Sequence, residues 1–298
     1  MGQDWLLSFF LPAALFMMML GMGMTLSVAD FMRIGQAPRV ILAGLAGQFL
    51  LPPLAALLAI WVFDLPPVFA AGLLILSFAP SGASSNLMTF LSRGDVALSV
   101  TLTAITSLLV PFTLPLLASW VLNVWLNHDL AIHLPLLQTW AQLMLVSLLP
   151  IFLGMLLAAL YPRLATWLMP KMKPASVVFL LLVLLALTHK HWDNMPEFLR
   201  LTAPAVLLMN CVALAAGWCW GRLWQMSAKQ RLTLGLEVGV QNGGTALVVT
   251  LVVLNNPAMS VPPVIYGILM LGPSLAFGLG LSFWQRHLTV KKMQTSIK

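Results

Sequence analysis

Apolar stretches long enough to cross a membrane follow one another along almost the whole of this 298-residue chain. A helix needs about 20 mostly apolar residues to span the hydrocarbon core of a bilayer. Hydrophobic residues make up 60% of the chain and charged residues only 8%, whereas an ordinary soluble domain is about 25% charged. A water-soluble surface cannot be built from this composition. We therefore predict an all-α polytopic membrane protein without a separate soluble domain.

The apolar stretches predict nine transmembrane helices. We place them near residues 5–28, 40–62, 66–92, 96–121, 135–160, 175–189, 202–221, 232–254 and 261–285. Together they form a single transmembrane domain over residues 1–298, with a first half of about 1–121, a second half of about 135–285 and a basic tail over 286–298. The first stretch has no Lys or Arg ahead of it and is too long for the core of a signal peptide, so we expect it to be retained.

The basic residues fall mainly on one side of the nine predicted helices. If the connections alternate sides, the other side receives only Lys190 and Arg200. The richer side collects 13 of the 15 Lys and Arg residues, namely Arg33, Arg39, Arg93, Arg163, Lys171, Lys173, Arg222, Lys229, Arg231, Arg286, Lys291, Lys292 and Lys298. Because cytoplasmic connections carry an excess of Lys and Arg, we expect a periplasmic N-terminus and a cytoplasmic C-terminus.

Two predicted helices, the third and the eighth, carry small and polar residues at their centres. The third contains the run from Phe78 to Asn86, in which Pro80 removes a backbone donor and Gly82 weakens the helix. The eighth contains the run from Glu237 to Thr245, which has three glycines within six residues. The two helices are five apart in the predicted order, so the chain crosses in opposite directions at the two breaks. We therefore predict an inverted repeat whose two discontinuous helices cross near the membrane midplane, as in the binding sites of secondary transporters.

Glu237 is the one acidic residue that falls inside a predicted helix. A charged side chain at mid-bilayer costs about 2.5–3.5 kcal/mol on insertion scales, so it needs a partner. No Lys or Arg lies near the middle of a predicted helix, which leaves a bound metal cation or a proton. Neutral oxygen donors suit a hard cation, and the predicted helices supply them in Gln48, Ser85, Asn86, Ser99, Thr103 and Gln241.

Four sequence motifs carry a resemblance to a known family. They are Gly21–Leu26 before Asp30-Phe31, Gln48 before Pro52, Ser85–Thr89 with Arg93–Ser99, and Glu237–Asn242. Through these motifs almost the whole chain resembles the bile acid:sodium symporter family. It resembles a nine-span bacterial member, because it starts at what would be the second helix of the ten-helix pattern. The resemblance implies a protein integral to the bacterial inner membrane.

The same resemblance implies two sodium ions as coupling ions, and no organic cofactor. The first sodium site would use Ser85, Asn86, Ser99, Thr103 and Glu237. The second would use Gln48, Glu237, the backbone carbonyls of Val238 and Val240, and Gln241. The organic anion would bind in front of the helix crossing, near the half-helix N-termini, where Ser84 and Asn242 would lie.

The function implied by the resemblance is import of an organic anion, coupled to sodium ions by alternating access. The cargo would be a bile-acid-like molecule or a small carboxylate such as pantoate. Two local departures from the family pattern bear on the cargo more than on the ions. The run Ser81–Ser84 is less rich in glycine than expected, and Gly243 stands where a Ser is common.

Other classes of function have less support in the sequence. A proton-coupled organic-anion transporter, with Glu237 as the proton carrier, stays open as an alternative. We do not expect an enzyme, because the chain has no G-x-S-x-G, no H-E-x-x-H and no Gly-Lys pair. The net charge of +7 is scattered between helices, so we expect no nucleic-acid partner. The expected partners are the organic anion and the lipid bilayer, and we expect a monomer.

Overall fold

A computed structural model describes residues 4–79, 81–125, 136–171 and 195–296 of the chain. Within these ranges the backbone forms helices and turns, and no strand is present. The predicted all-α class is therefore confirmed for the described residues. The predicted sixth span, at 175–189, and Pro80 of the third span lie outside them.

Thirteen α-helices account for most of the described chain. They are α1 Asp4–Gly23, α2 Val28–Gln36, α3 Pro38–Phe63, α4 Pro67–Ser77, α5 Ala83–Leu91, α6 Val96–Trp125, α7 Leu136–Leu143, α8 Leu149–Leu160, α9 Met195–Leu223, α10 Ala228–Gly239, α11 Gly243–Leu247, α12 Val261–Leu269 and α13 Leu271–Ser296. Two π-helical segments, Met144–Leu148 and Val248–Val253, continue α7 and α11, and a 3-10 turn, Ala258–Ser260, precedes α12. A further helical stretch covers 162–171.

Six helical segments in the described ranges are long and apolar enough to cross a membrane. Large apolar side chains such as Leu54 on α3 and Phe152 on α8 lie exposed on their outer faces. Such faces suit lipid and not water, and the chain is an integral membrane protein. The count of nine spans stays a prediction.

The first predicted span is interrupted near its C-terminal end, where a separate helix α2 begins. The sequence pattern predicted one helix over 5–28, whereas α1 ends at Gly23. The backbone N–H and the hydroxyl of Ser27 both donate to Asp30 Oδ2, at 2.9 and 2.8 Å. These two bonds hold Ser27 against the first turn of α2. The chain therefore starts a new helix here, although its apolar residues continue past Gly23.

Both runs of small and polar residues lie at breaks between helices. The chain leaves α4 after Ser77 and starts α5 at Ala83, with Gly82 in an extended conformation before it. It leaves α10 after Gly239, passes through the extended Val240, and starts α11 at Gly243. A carbon placed on Gly82 as a Cβ would be 3.5 Å from Asn242 Nδ2. The two breaks therefore lie against each other inside the bundle.

Close backbone contacts at glycines join helices that are distant in sequence. A Cβ on Gly23 of α1 would lie 2.2 Å from the carbonyl oxygen of Ile151, and one on Gly154 of α8 would lie 2.3 Å from that of Leu20. No side chain fits at either position, because real Cβ atoms do not approach this closely. The α1–α8 crossing is thus a reciprocal glycine contact, of the small-residue kind common between membrane helices.

Candidate functional site

The side chain of Glu237 lies fully buried near the end of α10. Its Oε2 atom accepts hydrogen bonds from Gln48 Nε2 at 2.9 Å and from Ser81 Oγ at 2.6 Å. The same oxygen accepts a third bond from Thr103 Oγ1 at 3.0 Å, and Oε1 accepts one from Ser99 Oγ at 2.6 Å. All of these partners are neutral. The carboxylate is thus well hydrogen-bonded by groups that bring no positive charge to it.

Four separate parts of the fold bring these partners together. Gln48 lies on α3, Ser81 in the break between α4 and α5, and Glu237 on α10. Ser99 and Thr103 are four residues apart on α6, so they share one face of that helix. A capping box at Ser227 and Gln230 sets the start of α10. The site therefore depends on tertiary packing around the first break, and not on one local motif.

The first predicted sodium set is gathered around the carboxylate in two layers. Ser99 and Thr103 touch Glu237 directly, and their hydroxyl oxygens also lie 2.7 and 3.3 Å from Asn86 Oδ1. Asn86 thus reaches the carboxylate through the two hydroxyls. Ser85 is buried beside them, but its hydroxyl donates to the carbonyl oxygen of Gly82 at 2.7 Å. The set supplies hydroxyl and amide oxygens, which are ligands that hard cations prefer.

The second predicted set lies at the break after α10. Gln241 Nε2 donates to the carbonyl oxygen of Val238 at 2.7 Å. Val240 is fully buried and its N–H donates to the carbonyl oxygen of Leu236. Gln48, which also belongs to this set, donates to the Glu237 carboxylate. The structure therefore places the side chains and the backbone of the second set in one neighbourhood.

A small cavity opens beside the second set. Its volume of about 10 Å³ is about what one water molecule needs, and a bare monovalent cation is of similar size. The polar part of its lining is formed by Gln48, Ser81, Thr106, Glu237 and Gln241. Gln48 Oε1 is buried and has no hydrogen-bond partner among the described residues. An unused acceptor next to a carboxylate is a feature that favours a positive ligand.

The two residues predicted to hold the cargo occupy different environments. Ser84 is exposed in the first turn of α5. Asn242 is buried, and its Oδ1 accepts from the N–H groups of Gly244 and Thr245 at 3.1 and 3.4 Å, which caps α11. Asn242 Nδ2 is buried without a hydrogen-bond partner in the described part of the chain. The break thus presents one unsatisfied donor close to the start of α5.

The carbonyl oxygen of Gly239, freed where α10 ends, is held by residues from two other helices. Asn210 Nδ2 of α9 donates to it at 2.8 Å, and Tyr266 of α12 donates through its hydroxyl. Both side chains are fully buried. Asn210 Nδ2 also lies 3.3 Å from the Tyr266 hydroxyl and 3.4 Å from Ser274 Oγ. This polar cluster satisfies a backbone group that the break would otherwise leave unpaired.

Ser81, Asn210 and Tyr266 were not predicted from the sequence as site residues. Ser81 stands in the same small-residue run as Ser84 and Ser85, and the sequence gives no signal that separates the three. Asn210 and Tyr266 lie 29 and 27 residues from Gly239 along the chain. A polar residue in the middle of each apolar stretch was the available signal for these two.

Comparison with known proteins identifies relatives over most of the chain. The model of the sodium bile acid symporter family matches residues 12–197. The chain is 31% identical over 248 residues to the probable sodium/metabolite cotransporter BASS1, chloroplastic, of Arabidopsis thaliana, covering 82% of this chain and 59% of the relative. It is 26% identical over 293 residues to the uncharacterized sodium-dependent transporter YocS of Bacillus subtilis (strain 168), covering 98% of this chain and 87% of the relative.

A third relative is the P3 protein of Homo sapiens, 34% identical over 215 residues, which covers 71% of this chain and 44% of the relative. The chain thus spans less than two thirds of the Arabidopsis and human proteins, and most of the Bacillus protein. The Arabidopsis and Bacillus relatives are named as transporters, and neither is named as an enzyme.

Proposed function

Because this chain belongs to the sodium bile acid symporter family, we propose that it is a secondary active transporter that imports an organic anion together with sodium ions. The resemblance drawn from the four motifs is confirmed by the family match, and with it the reading that the chain is not an enzyme. The coupling ion, the cargo and the direction of transport are our proposals for this chain.

One observation carries the proposal: a buried carboxylate, Glu237, is surrounded by neutral oxygen and amide groups. Each hydroxyl around it has lone pairs besides the hydrogen that it donates. When a cation enters, Ser99 and Thr103 can turn these lone pairs towards it, and the carboxylate supplies the negative charge. Sodium and not a transition metal fits such ligands, which contain no sulfur or imidazole.

We propose two sodium ions that share Glu237. Ser85, Asn86, Ser99 and Thr103 would complete the first site. Gln48, Gln241 and the carbonyl oxygens of Val238 and Val240 would complete the second, beside the small cavity. Binding at the second site requires the Gln241 amide to turn, since its nitrogen now bonds the Val238 carbonyl.

The cargo would bind in front of the two breaks, at Ser84 and Asn242. The start of α5 offers free N–H groups, which favour an anion, and Asn242 Nδ2 offers one more donor. A bile-acid-like anion or a small carboxylate such as pantoate has the matching charge. Two sodium ions and one monovalent anion carry a net charge of +1 inwards, which gains about 2.3 kcal/mol per 100 mV of membrane potential.

The transport cycle would use the architecture expected from the sequence. We propose nine transmembrane helices in a single domain, with an inverted repeat and two discontinuous helices that cross near the membrane midplane. The protein would lie in a bacterial inner membrane with its N-terminus in the periplasm, as a monomer. Alternating access would expose the site to each side in turn.

Uptake by proteoliposomes tests the proposal. Radiolabelled pantoate and taurocholate are offered in sodium or in potassium buffer, with the membrane potential clamped. We expect accumulation of at least one anion only in sodium, and a greater rate at negative inside potential. Glu237→Gln abolishes it, and Glu197→Gln, which removes an exposed carboxylate in the first turn of α9, leaves it unchanged.

Two results contradict the sodium proposal. The first is equal accumulation in sodium and potassium by both the parent and Glu237→Gln. The second is accumulation in potassium that follows an imposed pH gradient, which would indicate proton coupling instead.

A further inference from the structure

Ser81 lies in contact with the Glu237 carboxylate, although neither of the two predicted sodium sets includes it. Its side chain is 2% exposed. Ser81 Oγ lies 2.6 Å from Glu237 Oε2, 2.9 Å from Gln48 Nε2 and 3.3 Å from Thr103 Oγ1. It thus touches one member of each set and the carboxylate that both sets share.

The position of Ser81 in the backbone leaves its hydroxyl available for a ligand. Ser77 and Ser85, on either side of the break, donate to carbonyl oxygens within their own segments, those of Leu74 and Gly82. Ser81 lies between α4 and α5, outside both helices, and its polar contacts are with other elements. A hydroxyl has one hydrogen and two lone pairs, so Ser81 can release Glu237 and present a lone pair to a cation.

The cavity beside the second set shows where that cation would lie. Ser81, Gln48, Glu237 and Gln241 line it together. The buried Gln48 Oε1 has no partner among the described residues, so an unused acceptor lies on a side chain that Ser81 contacts. Hard cations bind such groups of carboxylate, amide and hydroxyl oxygens.

We propose that Ser81 is a further sodium ligand in this chain, adding its hydroxyl oxygen to those of Gln48, Glu237 and Gln241 around the small cavity. This inference rests on the proposed sodium coupling. It raises the number of side-chain oxygens at the second site, and it makes the break between α4 and α5 part of the ion site as well as of the cargo site. Ion binding and the shape of the first break are then linked through one residue.

Sodium titration of the purified protein tests this role without any cargo. The half-saturation concentration, meaning the apparent dissociation constant for sodium, is fitted to the rise in melting temperature with sodium concentration, with choline chloride holding the ionic strength constant. Ser81→Ala removes the oxygen, and Ser81→Cys replaces it with a softer and somewhat larger atom. Ser81→Thr keeps the hydroxyl. Ser77→Ala is the matched control, because Ser77 is equally buried but bonds the Leu74 carbonyl.

We expect Ser81→Ala and Ser81→Cys to raise the half-saturation concentration about tenfold, which corresponds to about 1.4 kcal/mol. The half-saturation concentration of Ser81→Thr should stay within about threefold of the parent value. That of Ser77→Ala should equal the parent value. The same titrations with lithium separate a ligand from a residue that only orients Glu237. Loss of a ligand changes the sodium-to-lithium affinity ratio because selectivity depends on ligand number, whereas misorientation weakens both ions alike.

The inference is overturned if Ser81→Ala and Ser81→Cys titrate like the parent while Glu237→Gln loses the response. An unchanged sodium-to-lithium ratio in both variants overturns it as well. A parent protein that shows no sodium response overturns the proposed function, and the role of Ser81 with it. The three outcomes are therefore distinguishable, and the melting temperature without sodium shows whether each variant is folded.

Discussion

Asn210 Nδ2 donates a 2.8 Å hydrogen bond to the carbonyl oxygen of Gly239, the last residue of α10. Gly239 is two residues beyond Glu237, so this bond fixes the backbone that carries the carboxylate. The Tyr266 hydroxyl donates to the same oxygen from α12. Two helices thus hold the end of α10 in place at the point where its own hydrogen-bond ladder stops.

The two donors to Gly239 predict a non-additive pair of substitutions. Asn210→Leu or Tyr266→Phe leaves one donor in place, and Asn210→Leu also removes Asn210 Oδ1, which has no hydrogen-bond partner among the residues that the structure describes. We expect each single change to cost about 1 kcal/mol of stability or less, as is typical between membrane helices. The double variant leaves the buried carbonyl unpaired and should lose about 1 kcal/mol more than the sum.

Melting temperatures of the four proteins in one detergent measure this coupling. Strict additivity would mean that water or another group replaces both donors. The sodium half-saturation concentration should rise in the double variant alone, since only there is the end of α10 free to shift.

Thr103 and Thr101 offer a matched test of the site on one helix. Both are buried on α6, but Thr103 donates to Glu237 whereas Thr101 donates to the carbonyl oxygen of Ala97 in its own helix. Thr103→Val should raise the sodium half-saturation concentration about fivefold, or about 1 kcal/mol. Thr101→Val should leave it unchanged, as measured by sodium-dependent thermal stabilisation. Equal effects of the two substitutions would indicate a general response of α6.

The glycine contact between α1 and α8 predicts a large loss of stability from a small substitution. Gly154→Ala places a methyl group 2.3 Å from the Leu20 carbonyl oxygen, so the two helices must separate. We expect a cost of about 1–3 kcal/mol, the usual range for overpacking. Gly272→Ala on α13 meets no atom within 4 Å and should be neutral or stabilising, because Ala is the better helix former.

Thermal unfolding of both variants beside the parent measures this difference. A Gly154→Ala protein as stable as the parent would show that α1 and α8 do not pack in this way.

The predicted count of nine spans requires the two termini to lie on opposite sides of the membrane. A fluorescent protein fused after residue 298 should fluoresce, because the C-terminus is expected in the cytoplasm. A periplasmic phosphatase fused before residue 1 should be active, and each reporter exchanged to the other end should be silent. Both termini on one side would exclude an odd number of spans.

The all-α class and the buried position of Glu237 could be predicted from the sequence. The residues that contact Glu237 were harder to predict. Glu237 could be recognised because a single acidic residue in an apolar stretch is costly to place in a membrane and therefore indicates a functional site. Ser99 and Thr103 could be joined to it only through the family motif. Their contacts with Glu237 span 138 and 134 residues, which no local pattern encodes. Ser81 was missed because a serine in a run of small residues has no periodic signal.

Helix ends were predicted less well than helices. The apolar pattern continues past Gly23, and the turn before α2 depends on the bonds between Ser27 and Asp30. Glycine and proline content drew attention to the two runs of small and polar residues, since these residues weaken helices wherever they occur, and α4 and α10 end there at Ser77 and Gly239. Which groups satisfy the freed backbone, as Asn210 does for Gly239, is decided by packing between helices.

The orientation of the Asn242 side chain decides which kind of hydrogen-bonding group the break after α10 can bind. Its oxygen accepts from the N–H groups that open α11, and its buried amide nitrogen has no partner among the described residues, so the amide hydrogens are what this side chain has left for a ligand. A group with lone pairs, such as a carboxylate, can accept a hydrogen bond there, whereas an ammonium, which can only donate, finds no acceptor on this side chain. Asn242 would thus disfavour protonated amines by the direction of a hydrogen bond, even where their overall size and shape match.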